Sequence, residues 1–230
     1  MSNINKINAT IRYYLYKKNN LPNSILYLKK ILKDIKLPIS KLTDDGRTNS
    51  FIDEKNCLLI LKKKLEKRIQ IPKKRHWFDF TIYDFQYGYL SINFKSTTCK
   101  TSDNTGNLSI LVQSLSNKEL DFKKKYNSGK IYKYFLKLLK NPKDNMNTKL
   151  KKDYYFLVIN KETNEIIVNS IKGLTNITGN SNNLPFQIKW NDNKKFVYTP
   201  ILTVIENIKN VMQKPILPWK VNFLLELNKI

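Results

Sequence analysis

The chain has 230 residues, with 42 Lys and Arg against 18 Asp and Glu, a formal net charge of +24. Hydrophobic residues make up 41% and aromatics 12%, which excludes wholesale disorder and leaves enough apolar surface for a sizeable core. One histidine (His76) and two distant cysteines (Cys57 and Cys99) exclude a disulfide framework, a zinc finger and every metal chemistry built on paired histidines.

Lys, Asn, Ile and Tyr are all abundant, as a low-GC coding sequence makes them. That bias should raise Glu as well, yet acids stay far below bases. The excess of positive charge therefore reads as selected, and a polyanion is the expected partner. Nucleic acid is favoured over a membrane surface, because no basic amphipathic anchor is concentrated anywhere. No apolar run reaches the roughly 18 residues of a membrane span, and Met1–Tyr16 lacks a signal-peptide core. A cytoplasmic, soluble protein is expected.

In chain order, Ile4, Ile7, Ile11 and Leu15 recur at helical spacing. A second amphipathic helix follows Pro22 through Ile25, Leu28, Ile31, Leu32 and Ile35, ending before Pro38. After the turn-rich Thr43–Asn49, Ser50 is positioned to cap a third helix from about Phe51 to Arg68. Asp53 and Glu54 would lie in its first turn, where acids suit the dipole. Beyond Pro72 the period changes from 3.6 to 2. Phe78–Phe85 and Tyr89–Ser96 read as a hairpin around Gly88, with Asp84 in its solvated turn.

A polar loop, Thr97–Asn107, precedes an apolar helix at Leu108–Leu115. Lys118–Lys140 becomes an amphipathic basic helix in its second half. Tyr154–Asn160 and Glu165–Ile171 are the next strands, and Thr175–Asn183 is an Asn-rich loop leading to Phe186–Trp190. Ile201–Gln213 has a helical pattern, broken by Pro215–Pro218. The expected fold is α/β or α+β, a central mixed β-sheet flanked by helices. It forms one domain, with residues 1–48 as an N-terminal helical segment, 49–172 as the core and 173–230 as a recognition and C-terminal segment.

The chemistry concentrates on the hairpin. Asn93 and Lys95 alternate onto one face of their strand, and Asp79 on the neighbouring strand can point to the same place. An acid, an amide and an ammonium are thus gathered on a chain suited to a polyanion. Asp79 can hold a hard divalent cation such as Mg²⁺ through oxygen. Lys95 can position or activate a water and offset charge on a reacting phosphate.

Phe78-Asp79 followed by Asn93-Phe94-Lys95 resembles the PD-(D/E)XK nuclease superfamily, whose pattern is an acid in one strand and acid-x-Lys in the next. Ile92–Asn104 and Gly179–Trp190 are similar to segments of type II restriction endonucleases. The resemblance runs over roughly Ser50–Trp190. It implies a nuclease core in which Asp79, the Phe94 carbonyl and Asn93 hold Mg²⁺ while Lys95 assists the attacking water. Two positions depart from the pattern. Phe78 stands where Pro is usual, and Asn93 stands where the second acid is usual, which removes a negative charge. Glu54 on the preceding helix is the candidate to supply it, with a solvated helix-dipole acid as the bland alternative.

For DNA contacts, Lys100, Thr101, Ser102 and Asn104 lie in a loop just beyond Lys95, where Asp103 could also approach a metal. Asn180, Asn182, Asn183 and Gln187 carry amides suited to adenine edges, with a preference for A/T-rich sites as a corollary. Lys123 and Lys124, like Lys62–Lys64 and Lys73–Arg75, suit phosphates or simply face solvent. Trp77, Trp190 and Trp219 read as core. The implied activity is Mg²⁺-dependent cleavage of both strands of double-stranded DNA at a palindromic site by a homodimer, with no membrane partner and no organic cofactor. The alternatives are a non-catalytic nucleic-acid-binding protein of a mobile element and a structure-specific repair nuclease.

Overall fold

The computed structural model describes residues 20–35, 45–72, 76–104, 108–121, 123–147, 152–180, 185–213, 225–226 and 228. The helix expected over Ile4–Leu15, the Lys73–Arg75 cluster, Asn182, Asn183 and Trp219 lie outside them.

Two helices open the described chain, α1 (Asn23–Lys33) and α2 (Gly46–Leu65), the second continued by a 3₁₀ turn at Glu66–Arg68. Pro22 precedes α1, where its fixed φ suits a helix start. α2 begins earlier than its capping pattern suggests. Ser50 lies inside it, and Asp45 stands at its start, accepting a 2.8 Å hydrogen bond from the Thr48 hydroxyl. Asp53 and Glu54 consequently sit past the first turn, away from the helix dipole invoked to explain them. The buried stripe of α2 runs at i, i+4 spacing through Asn49, Asp53, Cys57, Leu61 and Leu65.

A five-stranded sheet follows, formed by β1 (Ile69–Gln70), β2 (Phe80–Asp84), β3 (Gly88–Thr97), β5 (Tyr154–Asn160) and β6 (Ile166–Ser170) in that spatial order. Within it β3 and β5 run parallel, and the other neighbours are antiparallel. A parallel pair requires a long crossover. Here it holds the short strand β4 (Asp103–Asn104) and the helices α3 (Leu108–Leu115), α4 (Ser128–Lys140) and α5 (Pro142–Asn145). After β6, the two-residue strands β7 (Ile177–Thr178) and β8 (Gln187–Ile188) join β4 in a small second sheet, ordered β4-β8-β7. Helix α6 (Ile201–Gln213) has the bounds its periodicity predicts.

The hairpin turn departs from expectation at Asp84. Its carboxylate is buried rather than solvated, accepting the Gln86 and Tyr87 amides at 2.9 and 3.1 Å and the Ser24 amide at 3.2 Å. Such an Asx arrangement shapes the turn, and Gly88 supplies the positive φ of 74° that follows it.

Both faces of the large sheet are covered. Phe80, Ile82, Leu90, Ile92 and Phe94 pack with Tyr155, Leu157 and Ile159 beneath α1 and α2. The opposite face, with Tyr154, Phe156 and Val158, packs against α3, α4 and α6 together with Trp77 and Trp190. Both tryptophans are core residues, as expected. Cys57 and Cys99 are buried free thiols. Among the described residues no helix is long and apolar enough to cross a membrane.

Gly173, just after β6, leaves no room for a side chain. A Cβ there would collide with the Asn169 amide oxygen and the Phe196 ring. Gly173→Ala is expected to cost about 1–3 kcal/mol, the range for overpacking, read as a lower urea midpoint with an unchanged slope. A variant as stable as the parent would contradict this packing.

Candidate active site

β2 pairs with β3 only as far as Phe80–Ile92, so residues 93–97 of β3 have β5 on one side and, among the described residues, no strand on the other. Backbone donors on that open edge need acceptors. Two carboxylates supply them. Asp79, whose own amide donates to the Ile92 carbonyl at 3.0 Å, accepts the Phe94 N–H at 2.7 Å. Glu54, arriving from α2, accepts the Ser96 N–H at 3.1 Å. One residue of a strand sends its N–H and C=O to the same side. The Phe94 carbonyl therefore faces the same open edge, between the two acids.

Glu54 is held there by the residue before it. Asp53 is buried, pairs with Lys161 at 3.0 Å and accepts the Ser96 hydroxyl at 3.4 Å, which ties the early turns of α2 to the ends of β3 and β5. The structure thus brings Glu54 to the hairpin rather than leaving it as a solvated helix acid.

Asn93, Lys95 and Thr97 alternate onto the other face of β3, opposite Phe156, Val158 and Asn160 of β5. Asn93 is held from below by the buried Tyr154 hydroxyl, which itself donates to the Trp77 carbonyl at 3.0 Å. Its side-chain oxygen is buried with no hydrogen-bond partner. Lys95 lies within electrostatic reach of Glu54, Asp79 and Asp103.

Burial dominates the titration of these acids. It raises Glu54 to about 7, a rise that Asp79 and Asp103 reinforce and that Lys95 and the Ser96 amide oppose. Asp79 is also raised by burial, against the pull of the Phe94 amide and Lys95. Asp103 is raised for the same first reason, countered by the Thr97 hydroxyl and Lys95. Burial, more than the mutual repulsion of the acids, is what disfavours their charged forms.

Asp103 reaches this locus because the chain doubles back after β3. Cys99 adopts a left-handed φ of 60°, and its carbonyl accepts the Asn191 amide at 3.0 Å. Spacing alone does not demand this return. The sequence marks Asp103 only as a possible approach to a metal and does not place it in the site.

A divalent cation fits the donors present. Two carboxylates, a strand carbonyl and an orphaned amide oxygen are hard oxygen ligands of the kind Mg²⁺ takes. Among the described residues no three His, Cys, Asp or Glu side chains stand together as a metal cluster, so the donors here are two carboxylates and two neutral oxygens.

The proposed DNA-contact residues divide. Asn104 of β4, Gln187 of β8 and Asn180 just after β7 meet on the small sheet. The Asn104 side-chain oxygen accepts Asn180 Nδ2 at 2.5 Å and Gln187 Nε2 at 3.2 Å. Asn180 is buried and cannot present its amide to a base, which corrects that expectation; it orients Asn104 instead. Thr101 is exposed and Ser102 half-buried in the same return loop. Lys100 is paired with Glu162 at 2.6 Å, and both are exposed. Lys123 and Lys124 are exposed before α4, the latter 3.7 Å from Asp121.

If Asn104 and Gln187 read base edges, Asn104→Ala should cost about 1–3 kcal/mol on the cognate duplex. It should leave non-specific affinity and its salt slope unchanged, since no charge is lost. Competition binding with cognate and scrambled duplexes measures both. Equal weakening of the two duplexes would mean that the small sheet touches only backbone.

Against known protein families, curated proteins and solved structures, the chain shows no significant match.

Proposed function

We propose that the chain is a Mg²⁺-dependent endonuclease of the PD-(D/E)XK type that cuts double-stranded DNA. The observation that carries this reading is the open edge of β3, where Glu54 and Asp79 cap successive free amides on either side of the Phe94 carbonyl while Lys95 projects beside them. The order of elements supports it as well. A helix carrying one acid, a three-stranded antiparallel run carrying the other acid and the lysine, and a helical crossover to a parallel strand follow one another.

Asp79, Glu54, the Phe94 carbonyl and Asn93 would hold the cation, which supplies Lewis-acid polarisation of a phosphate oxygen and a more acidic bound water. Lys95 places a positive charge where the phosphorane gains negative charge, and it orients the attacking water. Glu54 recovers through the helix the negative charge that Asn93 lacks. The net charge of +24 would draw the duplex to the chain, and the paired amides of Asn104 and Gln187 on the small sheet are the groups that would read it. Cutting both strands at a palindrome calls for two copies of the site, hence a homodimer.

Incubation with long duplex DNA and Mg²⁺ tests the reading. Discrete fragments, abolished by EDTA, are the expected result. A smear would replace site specificity with structure- or sequence-tolerant cleavage. Intact DNA over a range of divalent cations would leave a binding protein and overturn the proposal.

A further inference from the structure

At the opposite end of the hairpin from the carboxylates lies a cavity of about 280 Å³, walled by Tyr27 of α1, Arg68 and Phe85. A second cavity of about 290 Å³ adjoins it, sharing Tyr27 and Arg68 and edged by Lys64 and Lys67. Phe85 is 89% exposed at the tip of the turn, an expensive place for a phenyl ring in water. Tyr83 meets it edge-on at 5.8 Å, and Tyr89 meets Tyr83 at 5.3 Å, so three solvent-facing rings run along the hairpin. The Arg68 guanidinium lies over the Tyr27 ring at 5.2 Å.

The polar groups of the cavity are unsatisfied in one particular way. Ser24 is 3% exposed, yet its hydroxyl has no hydrogen-bond partner, and Arg68 Nε is likewise buried and unpartnered. Asn23 and Gln86 add side-chain amides to the same lining. The carboxylate that also lines it, Asp84, already accepts three backbone amides and is screened by them. Glu66 is the acid at the neighbouring cavity, against Lys64, Lys67 and Arg68.

We infer that this cavity binds an unpaired nucleotide of a single-stranded nucleic acid, its base against Phe85 and its phosphates on Arg68, Lys64 and Lys67. An aromatic wall beside hydrogen-bonding groups of both polarities suits a nucleobase. Cations at the rim suit the strand that carries it. Duplex bases, stacked and paired, cannot enter. The site is about seven residues along β3 from Lys95, roughly 23 Å, so it does not depend on the nuclease reading.

Fluorescence anisotropy of the full chain with a 5′-fluorescein oligothymidylate in EDTA tests this. Phe85→Ala is expected to weaken binding about ten- to a hundredfold, the stacking range for one base, while blunt duplex affinity stays unchanged. Phe85→Trp should restore it. Arg68→Gln should weaken binding and make its salt dependence shallower by about 0.7. Phe85 is solvent-facing, so its variants should keep the parent circular dichroism spectrum. Three results would overturn the inference: Phe85→Ala binding the oligomer as the parent does; thymidine monophosphate competing as well as the oligomer per nucleotide; or Phe85→Ala abolishing a concentration-dependent dimer, which would make the ring patch a self-interface.

Discussion

Asp79→Asn is expected to reduce cleavage of duplex DNA by about a thousandfold or more while leaving fold and DNA binding intact. The asparagine oxygen can still accept the Phe94 N–H, so the cap on β3 survives and only the charge is lost. Lys95→Ala should have a comparable effect through the opposite charge. Its ammonium lies within electrostatic reach of Glu54, Asp79 and Asp103, so its removal withdraws a favourable charge from all three. The duplex should bind both variants in Ca²⁺ within a few-fold of the parent, because the broad positive surface remains. Parent-like cleavage by either variant, with an unchanged circular dichroism spectrum, would remove the site assignment.

Glu54→Gln separates stability from function at the same locus. Burial raises the Glu54 carboxyl from an ordinary 4.5 to about 7 in the metal-free fold. Below pH 4.5 the folded and unfolded chains both hold the proton, and nothing is lost. Between pH 4.5 and 7 the unfolded chain releases it while the folded chain keeps it, so stability falls as pH rises. Above 7 the full cost applies, about 3 kcal/mol for a shift of this size. The substituted glutamine carries no such charge and can still accept the Ser96 amide. In EDTA the Glu54→Gln variant should therefore match the parent near pH 4 and exceed it by about 3 kcal/mol at pH 8 in urea unfolding. Mg²⁺ should narrow that gap by stabilising the parent alone, and cleavage by the variant should be lost. A stability difference independent of pH would contradict the buried acid described here.

The elements were largely legible because their signals are local. The alternation of Phe80–Asp84 and Gly88–Thr97 around Gly88, and the apolar periods of α3, α4 and α6, are written in consecutive residues. Asp79 and Lys95 are read from one hairpin in the sequence; Asp79 lies just before β2, past the last register pair Phe80–Ile92, and reaches β3 at the Phe94 amide with Lys95 within electrostatic reach. What the sequence hid depends on long-range packing. Ser50 resembles an N-cap, but burial of Asn49 and Asp53 carries α2 a turn further upstream. Asp84 looked like a solvated turn acid, yet α1 covers it and donates an amide to it. Asp103 enters the site through a left-handed turn at Cys99, a residue type that gives no sign of it. The meeting of Asn104 with Asn180 and Gln187 joins segments far apart in the chain, which no periodicity records.

The proposed activity depends on a divalent cation held at the open edge of β3 by Asp79 and Glu54. Backbone and side-chain amide resonances followed during a Mg²⁺ titration of the isotope-labelled chain test it without relying on catalysis. Saturable shifts centred on Phe94, Ser96 and the Asn93 side-chain amide, absent in Asp79→Asn, are expected. Shifts scattered over the surface carboxylates, or a cation response that Asp79→Asn leaves intact, would contradict it.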